Sequence, residues 1–290
     1  MRTLVSLLIT CLSCLYPLSG ANAQWNMSRE AEMQPPLKFE PTAKKYGAFE
    51  SLRNSVFFPE GKTEALPAVV LMHDCTGITS RNEGDLRRWT QLLLKHGYAV
   101  LVIDHLGPPR HITRNCGREV TVPAGQLMKD ALDAIGYLAG KPEIDSKRIF
   151  TLGFSKGGMT GGVIASEAHY REISKGQPKP RAVASLYGGC DYGRGGNWLP
   201  SDASVPVLWL MGGEDTEAPP SDCASAVRSL TKRNMITAHI YPNVSHCWDC
   251  KENDGFSKIS GNGQRVTYRY DSQVTADSER RVLEFFDSFR

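Results

Sequence analysis

"FTLGFSKGGMTGG", residues 150–162, runs from an apolar, β-prone segment into a cluster of small residues. At the hinge one serine stands between two glycines: Gly153, Ser155 and Gly157. A G-x-S-x-G pattern arises by chance in many chains, so its surroundings decide its meaning. It presents a nucleophile where a strand precedes it and a helix follows, because the sharp turn between them exposes the hydroxyl. "RIFTL", residues 148–152, supplies the strand, and "KGGMTGGVIASEAH", residues 156–169, supplies the helix. The competing use of Ser155 is as an ordinary helix N-cap.

Outward from this hinge the chain is regular. "AVVLM" (68–72), "AVLVID" (99–104), "AVASLYG" (182–188), "VPVLWLMG" (205–212) and "TAHIYP" (237–242) join "RIFTLGF" as short apolar runs. Each is apolar on successive residues, the pattern of strands covered on both faces. Between them lie helical stripes: Leu86, Trp89, Leu92 and Leu93, then Leu127, Ala131, Ala134, Ile135 and Leu138. Residues 221–233 suit a further helix, and Val282, Phe285, Phe286 and Phe289 close the chain at helical spacing. These stripes are core faces. Strand and helix in alternation predict an α/β fold, a mostly parallel central sheet with helices on both faces. No repeat and no second core interrupts it, so residues 24–290 read as one domain, opened by an extended arm over 24–50. Three irregular segments, 106–123, 188–206 and 250–271, each follow a strand, on the edge where open parallel sheets bind ligands.

A serine hydroxyl is a weak nucleophile and needs a base, which in turn needs an orienting carboxylate. On a strand-turn-helix scaffold the chain order is Ser, then Asp or Glu, then His. "VLWLMGGEDTEAPP" (207–220) is a strand ending in a turn that carries Glu214 and Asp215. "AHIYPNVSHCW" (238–248) is a strand ending in a loop that holds His246. Both follow the serine in the required order. Asp215 is the preferred acid, with Glu214 and Asp191 of "GGCDYG" as rivals. Two backbone amides would form an oxyanion hole. One belongs to Lys156, and the other to Cys75 in the turn of "VVLMHDCTG" (69–77).

Taken together, "LMHDCTGI", "GFSKGG", "MGGEDTEAP" and "YPNVSHCW" resemble the dienelactone hydrolase family of α/β-hydrolases over roughly residues 45–290. The resemblance implies an α/β-hydrolase fold and cleavage of a small-molecule ester or lactone without a cofactor. It places Ser155 on the nucleophile, Asp215 on the acid, His246 on the base and Cys75 on the oxyanion turn. The family's namesake has a cysteine nucleophile, so serine here implies a broader, esterase-like member. Asp74 matches an acidic position of the family that contacts the nucleophile, which makes it a candidate substrate-side residue. Arg110, Arg114 and Arg118 lie in an irregular crevice segment, where guanidinium forks hold substrate carboxylates; solvated loop arginines are the plain alternative. A peptidase or amidase on the same scaffold, or a non-catalytic binding protein, are the alternative functions.

Bulk properties set the remaining bounds. The 290 residues are 41% hydrophobic and 22% charged, with a formal charge of +3. That charge is small and scattered, which excludes a phosphate-tracking nucleic-acid surface. Residues 1–23 read as a signal peptide: Arg2, the apolar "LVSLLITCLSCLYPL", then "ANA" at 21–23. The apolar run is short for a membrane span, so the expected mature protein is exported, periplasmic or secreted, without stable membrane insertion. Six cysteines remain after the leader: 75, 116, 190, 223, 247 and 250. In an oxidising compartment an even number favours disulfides. Cys75 with Cys116 is the first expected pair; the partners of the other four stay open. "HCWDC" has some zinc-ligand character, but no second C-x-x-C accompanies it, so no metal is expected.

Overall fold

The six apolar runs become the parallel strands of one sheet, in a computed structural model that describes residues 26–61, 64–113, 116, 122–190, 197–260 and 263–290. The predicted leader over residues 1–23 lies outside the described residues. In chain order the elements are α1 (Met27–Glu30), β1 (Ser55–Phe57), β2 (Leu66–Met72), α2 (Glu83–Lys95) and β3 (Ala99–Ile103). They continue with α3 (Ala124–Ala139), β4 (Ile144–Phe154), α4 (Lys156–Ala165), α5 (Glu167–Ile173), β5 (Val183–Leu186) and β6 (Val207–Gly212). The chain then forms α6 (Pro220–Thr231), β7 (Ile236–Tyr241), β8 (Ser257–Ile259), β9 (Arg265–Thr267) and α7 (Ser272–Asp287).

The sheet order is β1-β3-β2-β4-β5-β6-β7, parallel throughout except for β1, which runs antiparallel to β3. From β2 the chain steps outward to β3, then returns past β2 to build β4 through β7 on the other side. The strand order therefore reverses between β2 and β4, and a crevice opens beyond their C-terminal ends. Beyond β2 lies the turn that carries Cys75, and directly beyond β4 stands Ser155.

Alternate strand residues point to opposite faces. Val69 and Leu71 join Leu86, Trp89 and Leu93 of α2 and Val282 and Phe286 of α7 in one core. Ala68, Val70 and Met72 face Leu127, Ala131 and Ile135 of α3 and Val163 and Ile164 of α4. A third cluster packs Trp209 and Met211 of β6 against Ala226 and Leu230 of α6.

Three features differ from the sequence expectation. β7 is not covered on both faces: it pairs with β6 alone, and Thr237, Ala238 and Ile240 are exposed. The arm opens with a helical turn, capped by the Asn26 side chain, that buries Met27 against α3. Segment 250–271 contains a two-stranded antiparallel ribbon, β8–β9.

Candidate active site

Ser155 sits between β4 and α4 at φ 49° and ψ −110°, a conformation that L-residues avoid. The surrounding bonds enforce it: its amide donates to the Leu186 carbonyl at 3.0 Å, and its own carbonyl accepts from the Met159 amide at 2.8 Å. Although Ser155 occupies the N-cap position, its side chain makes no capping bond. The flanking glycines are explained by close approach. A Cβ on Gly153 would lie 2.2 Å from the Gly157 carbonyl, and one on Gly157 would lie 2.3 Å from the Met72 carbonyl oxygen. The hairpin-tight turn leaves no room for either.

The Ser155 hydroxyl instead meets His246, Oγ to Nε2, at 3.1 Å. The opposite ring nitrogen, Nδ1, is 2.7 Å from Oδ2 of Asp215. Asp215 follows β6, and its Oδ1 accepts from the amides of Glu217 and Ala218, both at 2.8 Å. Those two bonds fix the carboxylate so that its other oxygen faces the imidazole. Asp215 and His246 are both buried, whereas the rival Glu214 is exposed. The other rival, Asp191, lies outside the described residues.

Burial alone would lower the His246 pKa. The Asp215 and Glu217 charges and the Asp215 hydrogen bond outweigh it, and the pKa is raised. Glu217 was not singled out in the sequence, yet its Oε2 lies 3.9 Å from Nε2 of His246. It also accepts from the Tyr268 hydroxyl at 2.9 Å and pairs with Lys258 at 2.8 Å. Burial would raise the Glu217 pKa, but the positive charges of His246 and Lys258 and the hydrogen bonds from Lys258 and Tyr268 hold it below the usual value. The spacing D-x-E in "GGEDTEAPP" was the available signal, since the Asp215 turn brings residue 217 back toward the imidazole.

Tyr187, after β5, was also missed. Its ring packs on the His246 imidazole with centroids 4.8 Å apart, and its hydroxyl donates to Asp249 at 2.8 Å. Asp249 accepts in addition from Trp89 Nε1 at 2.8 Å and Arg88 Nη2 at 2.9 Å, which fastens the loop after His246 to α2.

These groups open onto a cavity of about 660 Å³ lined by Asp74, Cys75, Ser155, Tyr187, Glu217, His246, Lys258 and Tyr268, among others. Asp74 thus borders the cavity, its Oδ1 accepting from the Thr76 amide at 2.6 Å. Lys156 opens α4, and its ammonium lies 4.6 Å from the Trp198 ring centroid, where burial pulls its pKa down to about 8. The structure takes Arg110 away from the cavity. Its buried guanidinium forks onto Asp130 of α3 at 2.6 and 2.7 Å and donates to the carbonyls of His105 and Pro35. A cation committed to a buried carboxylate is not available to a substrate. Arg114 lies outside the described residues.

Three disulfides form among the described residues: Cys75–Cys116, Cys190–Cys223 and Cys247–Cys250. The first is the expected pair, and the last consumes the C-x-x-C sulfurs of "HCWDC". No cluster of three or more His, Cys, Asp or Glu suited to a metal ion occurs among the described residues, nor does a helix long and apolar enough to cross a membrane.

A family model described as the dienelactone hydrolase family matches residues 53–290. A Salmonella typhimurium protein named "Putative carboxymethylenebutenolidase" is 24% identical over 245 residues, 80% of each chain. The dienelactone hydrolase of Anabaena variabilis superposes with a TM-score of 0.56 at 20% identity, over 81% of this chain and 90% of its own. Esterase 2 of Thermogutta terrifontis, solved phosphonylated by cyclosarin, gives 0.58 at 12% identity, over 81% and 88%. At such identities the structural likeness establishes a shared fold.

Proposed function

The chain belongs to the dienelactone hydrolase family, hydrolases of ester or lactone bonds, and from that premise we propose that it is an exported serine hydrolase. Ser155 attacks the carbonyl carbon of a small carboxylic ester or lactone, and His246 Nε2 takes the hydroxyl proton. Asp215 holds Nδ1 and stabilises the imidazolium. The amides of Cys75 and Lys156 receive the negative oxygen of the tetrahedral intermediate. As that intermediate collapses, Nε2 gives its proton to the leaving alkoxide. Water then attacks the acyl-enzyme, losing a proton to His246, and the acid departs as Ser155 is regenerated. Every step uses only side chains, two amides and water.

The observation that carries this reading is the unbroken relay from Ser155 through His246 to Asp215, at 3.1 and 2.7 Å. Export is supported by the leader-like residues 1–23 and by the three disulfides, which persist in oxidising compartments. Purified Ser155→Ala beside wild type, on short-chain aryl esters, lactones and an aryl amide, tests the assignment. Ester turnover surviving in the variant would overturn the nucleophile, and amide cleavage outpacing ester cleavage would make the protein an amidase. Because the Thermogutta esterase is phosphonylated by cyclosarin, labelling with an aryl phosphonate and peptide mapping give a second check. The label belongs on Ser155.

A further inference from the structure

His73 directly follows β2 and is buried beneath the crevice. Its ring contacts the backbone at both nitrogens. Nδ1 lies 2.5 Å from the Asp74 carbonyl oxygen, and Nε2 accepts from the His105 amide at 3.0 Å. Oδ1 of Asp104 is 3.4 Å from the same Nε2. The Nδ1 contact is attractive only with a proton on Nδ1, because a ring lone pair facing a carbonyl oxygen repels it. The neutral ring protonated on Nδ1 meets that condition and leaves the Nε2 lone pair to accept from the His105 amide.

The carbonyl that His73 holds belongs to the peptide unit joining Asp74 to Cys75. That planar unit also carries the Cys75 N–H, which points away from its own carbonyl. Cys75 lines the Ser155 cavity, and its amide has no hydrogen-bond acceptor among the described residues. We infer that His73 is a positioning residue for the oxyanion hole: by holding the Asp74 carbonyl it turns the Cys75 N–H toward the cavity. The inference rests on the serine-hydrolase reading above.

Three features favour this role. A hydrogen bond to a peptide carbonyl polarises the unit and strengthens its N–H as a donor. The rest of the turn is already secured, by the Cys75–Cys116 disulfide, by Asp74 on Thr76, and by Asn82 donating to the Gly77 carbonyl at 2.7 Å. Rotation of the 74–75 peptide plane is the remaining freedom, and the His73 bond removes it. Finally, the ring has its own supports. Asp104, which pairs with Arg53 and accepts from the Leu106 and Gly107 amides, lies against one edge; His105, tied to Asp130, meets it edge-on at 5.4 Å. The buried Arg110–Asp130 pair thereby supports a ring beneath the site while standing outside the cavity.

Asparagine and glutamine separate the two ring contacts. His73→Asn can place an amide nitrogen where Nδ1 was, and His73→Gln can place an amide where Nε2 was. With a short-chain aryl ester, His73→Gln and His73→Leu should lose about 10–100-fold in kcat with KM nearly unchanged, somewhat less than deleting an oxyanion donor outright. Affinity for an aryl boronic acid, whose tetrahedral adduct places an oxygen in the oxyanion hole, should fall by the same factor. His73→Asn should stay within about fivefold of wild type on both measures, since the donor to the Asp74 carbonyl is kept. Wild-type behaviour of His73→Gln with loss in His73→Asn would overturn the inference and leave the ring as a tie between the two turns. Unchanged kcat in both would overturn it too. If His73→Leu fails to fold by near-UV circular dichroism, the Asn and Gln variants decide alone. Ser155→Ala run alongside separates the two ideas: its activity would sink the serine reading, whereas an inactive Ser155→Ala beside fully active His73 variants would sink only this inference.

Discussion

Gly157→Ala tests whether the contact between α4 and the end of β2 sets the catalytic geometry. A Cβ there would lie 2.3 Å from the Met72 carbonyl oxygen and 2.6 Å from that of His73, both backbone atoms. Carbon and carbonyl oxygen normally approach no closer than about 3.3 Å, so the helix and the strand end must part by roughly 1 Å. One segment carries Ser155 and the Lys156 amide; the other leads into Asp74 and Cys75. Overpacking of this kind costs about 1–3 kcal/mol. In a domain of this size, each kcal/mol lowers Tm by about 2–4 °C, giving a drop of roughly 2–12 °C. A 1 Å displacement between nucleophile and oxyanion donors should cost about 10²-fold in kcat/KM. Gly161→Ala is the control. Its Cβ would meet side-chain atoms only, Val183 Cγ1 at 2.8 Å and Met72 Cε at 4.0 Å. Those can move, and alanine gains about 1 kcal/mol of helix propensity, so kcat/KM should stay within about threefold. Initial rates on an aryl ester, with thermal unfolding followed in parallel, measure both quantities. Equal rate losses in the two variants, or a Gly157→Ala enzyme as fast as wild type, would refute the argument.

Glu217→Gln keeps an acceptor for Tyr268 and Lys258 but removes a negative charge near Nε2 of His246. Asp215, Lys258, Tyr187 and Tyr268 also face the ring, and these stay. Loss of an attraction for the imidazolium lowers the His246 pKa, and catalysis needs the neutral ring. The acid limb of kcat/KM should therefore move to lower pH; a superimposable pH profile would contradict the electrostatic role. Arg110→Met leaves Asp130 buried without its main cation and should cost about 3–5 kcal/mol in urea unfolding, with KM for acidic and neutral esters unchanged. A KM rise confined to acidic esters, without loss of stability, would restore Arg110 as a substrate contact. In Asp85, burial and then the charges of Asp249 and Glu252 push the carboxyl pKa up to about 8 from its ordinary 3.8. Between those values the folded chain holds a proton that the unfolded chain releases, so stability falls as pH rises and the full cost is present above the folded pKa. Asp85→Asn, which keeps an oxygen for the Lys251 amide, should melt with wild type at pH below 3.8 and above it in alkaline buffer. A constant offset at every pH would refute the linkage.

The parts of the site that could be read from sequence are those whose constraints are local. Ser155 needs Gly153 and Gly157 because backbone passes within a van der Waals radius of each, and that demand is written within five residues. The strands could be read because β2, β3, β5 and β6 are buried along their length and β4 is buried over residues 149–154. Edge elements were less legible. β1 has only three residues, β8 alternates exposed and part-buried side chains over the same length, and β9 buries only Val266. Glu217 takes its place through Lys258 and Tyr268 on or beside that ribbon, so its role was invisible while the ribbon was. Arg110 illustrates the opposite error. A loop arginine looks the same whether it faces a crevice or a helix carboxylate, and Asp130 lies 20 residues further along.

The placement of the disulfides bears on what the fold leaves unsecured. Three core clusters run across the sheet and its helices, so a chain of this size has ample buried apolar area without cross-links. The staples lie elsewhere. Cys75, in the turn after β2, is bonded to Cys116 in the segment that precedes α3. Cys190, in the segment after β5, is bonded to Cys223 in the first turns of α6, the helix that follows the Asp215 turn. Cys247 is adjacent to His246 and closes a short loop onto Cys250, with Asp249 between them fixed to Trp89, Arg88 and Tyr187. Crevice loops have fewer packed neighbours than strands and open locally at lower cost. A cross-link at such a position restricts the loop itself more than it adds to a core that is already sufficient. The three bridges thus act where the turn bearing Cys75, the helix after Asp215 and the loop bearing His246 would otherwise move independently.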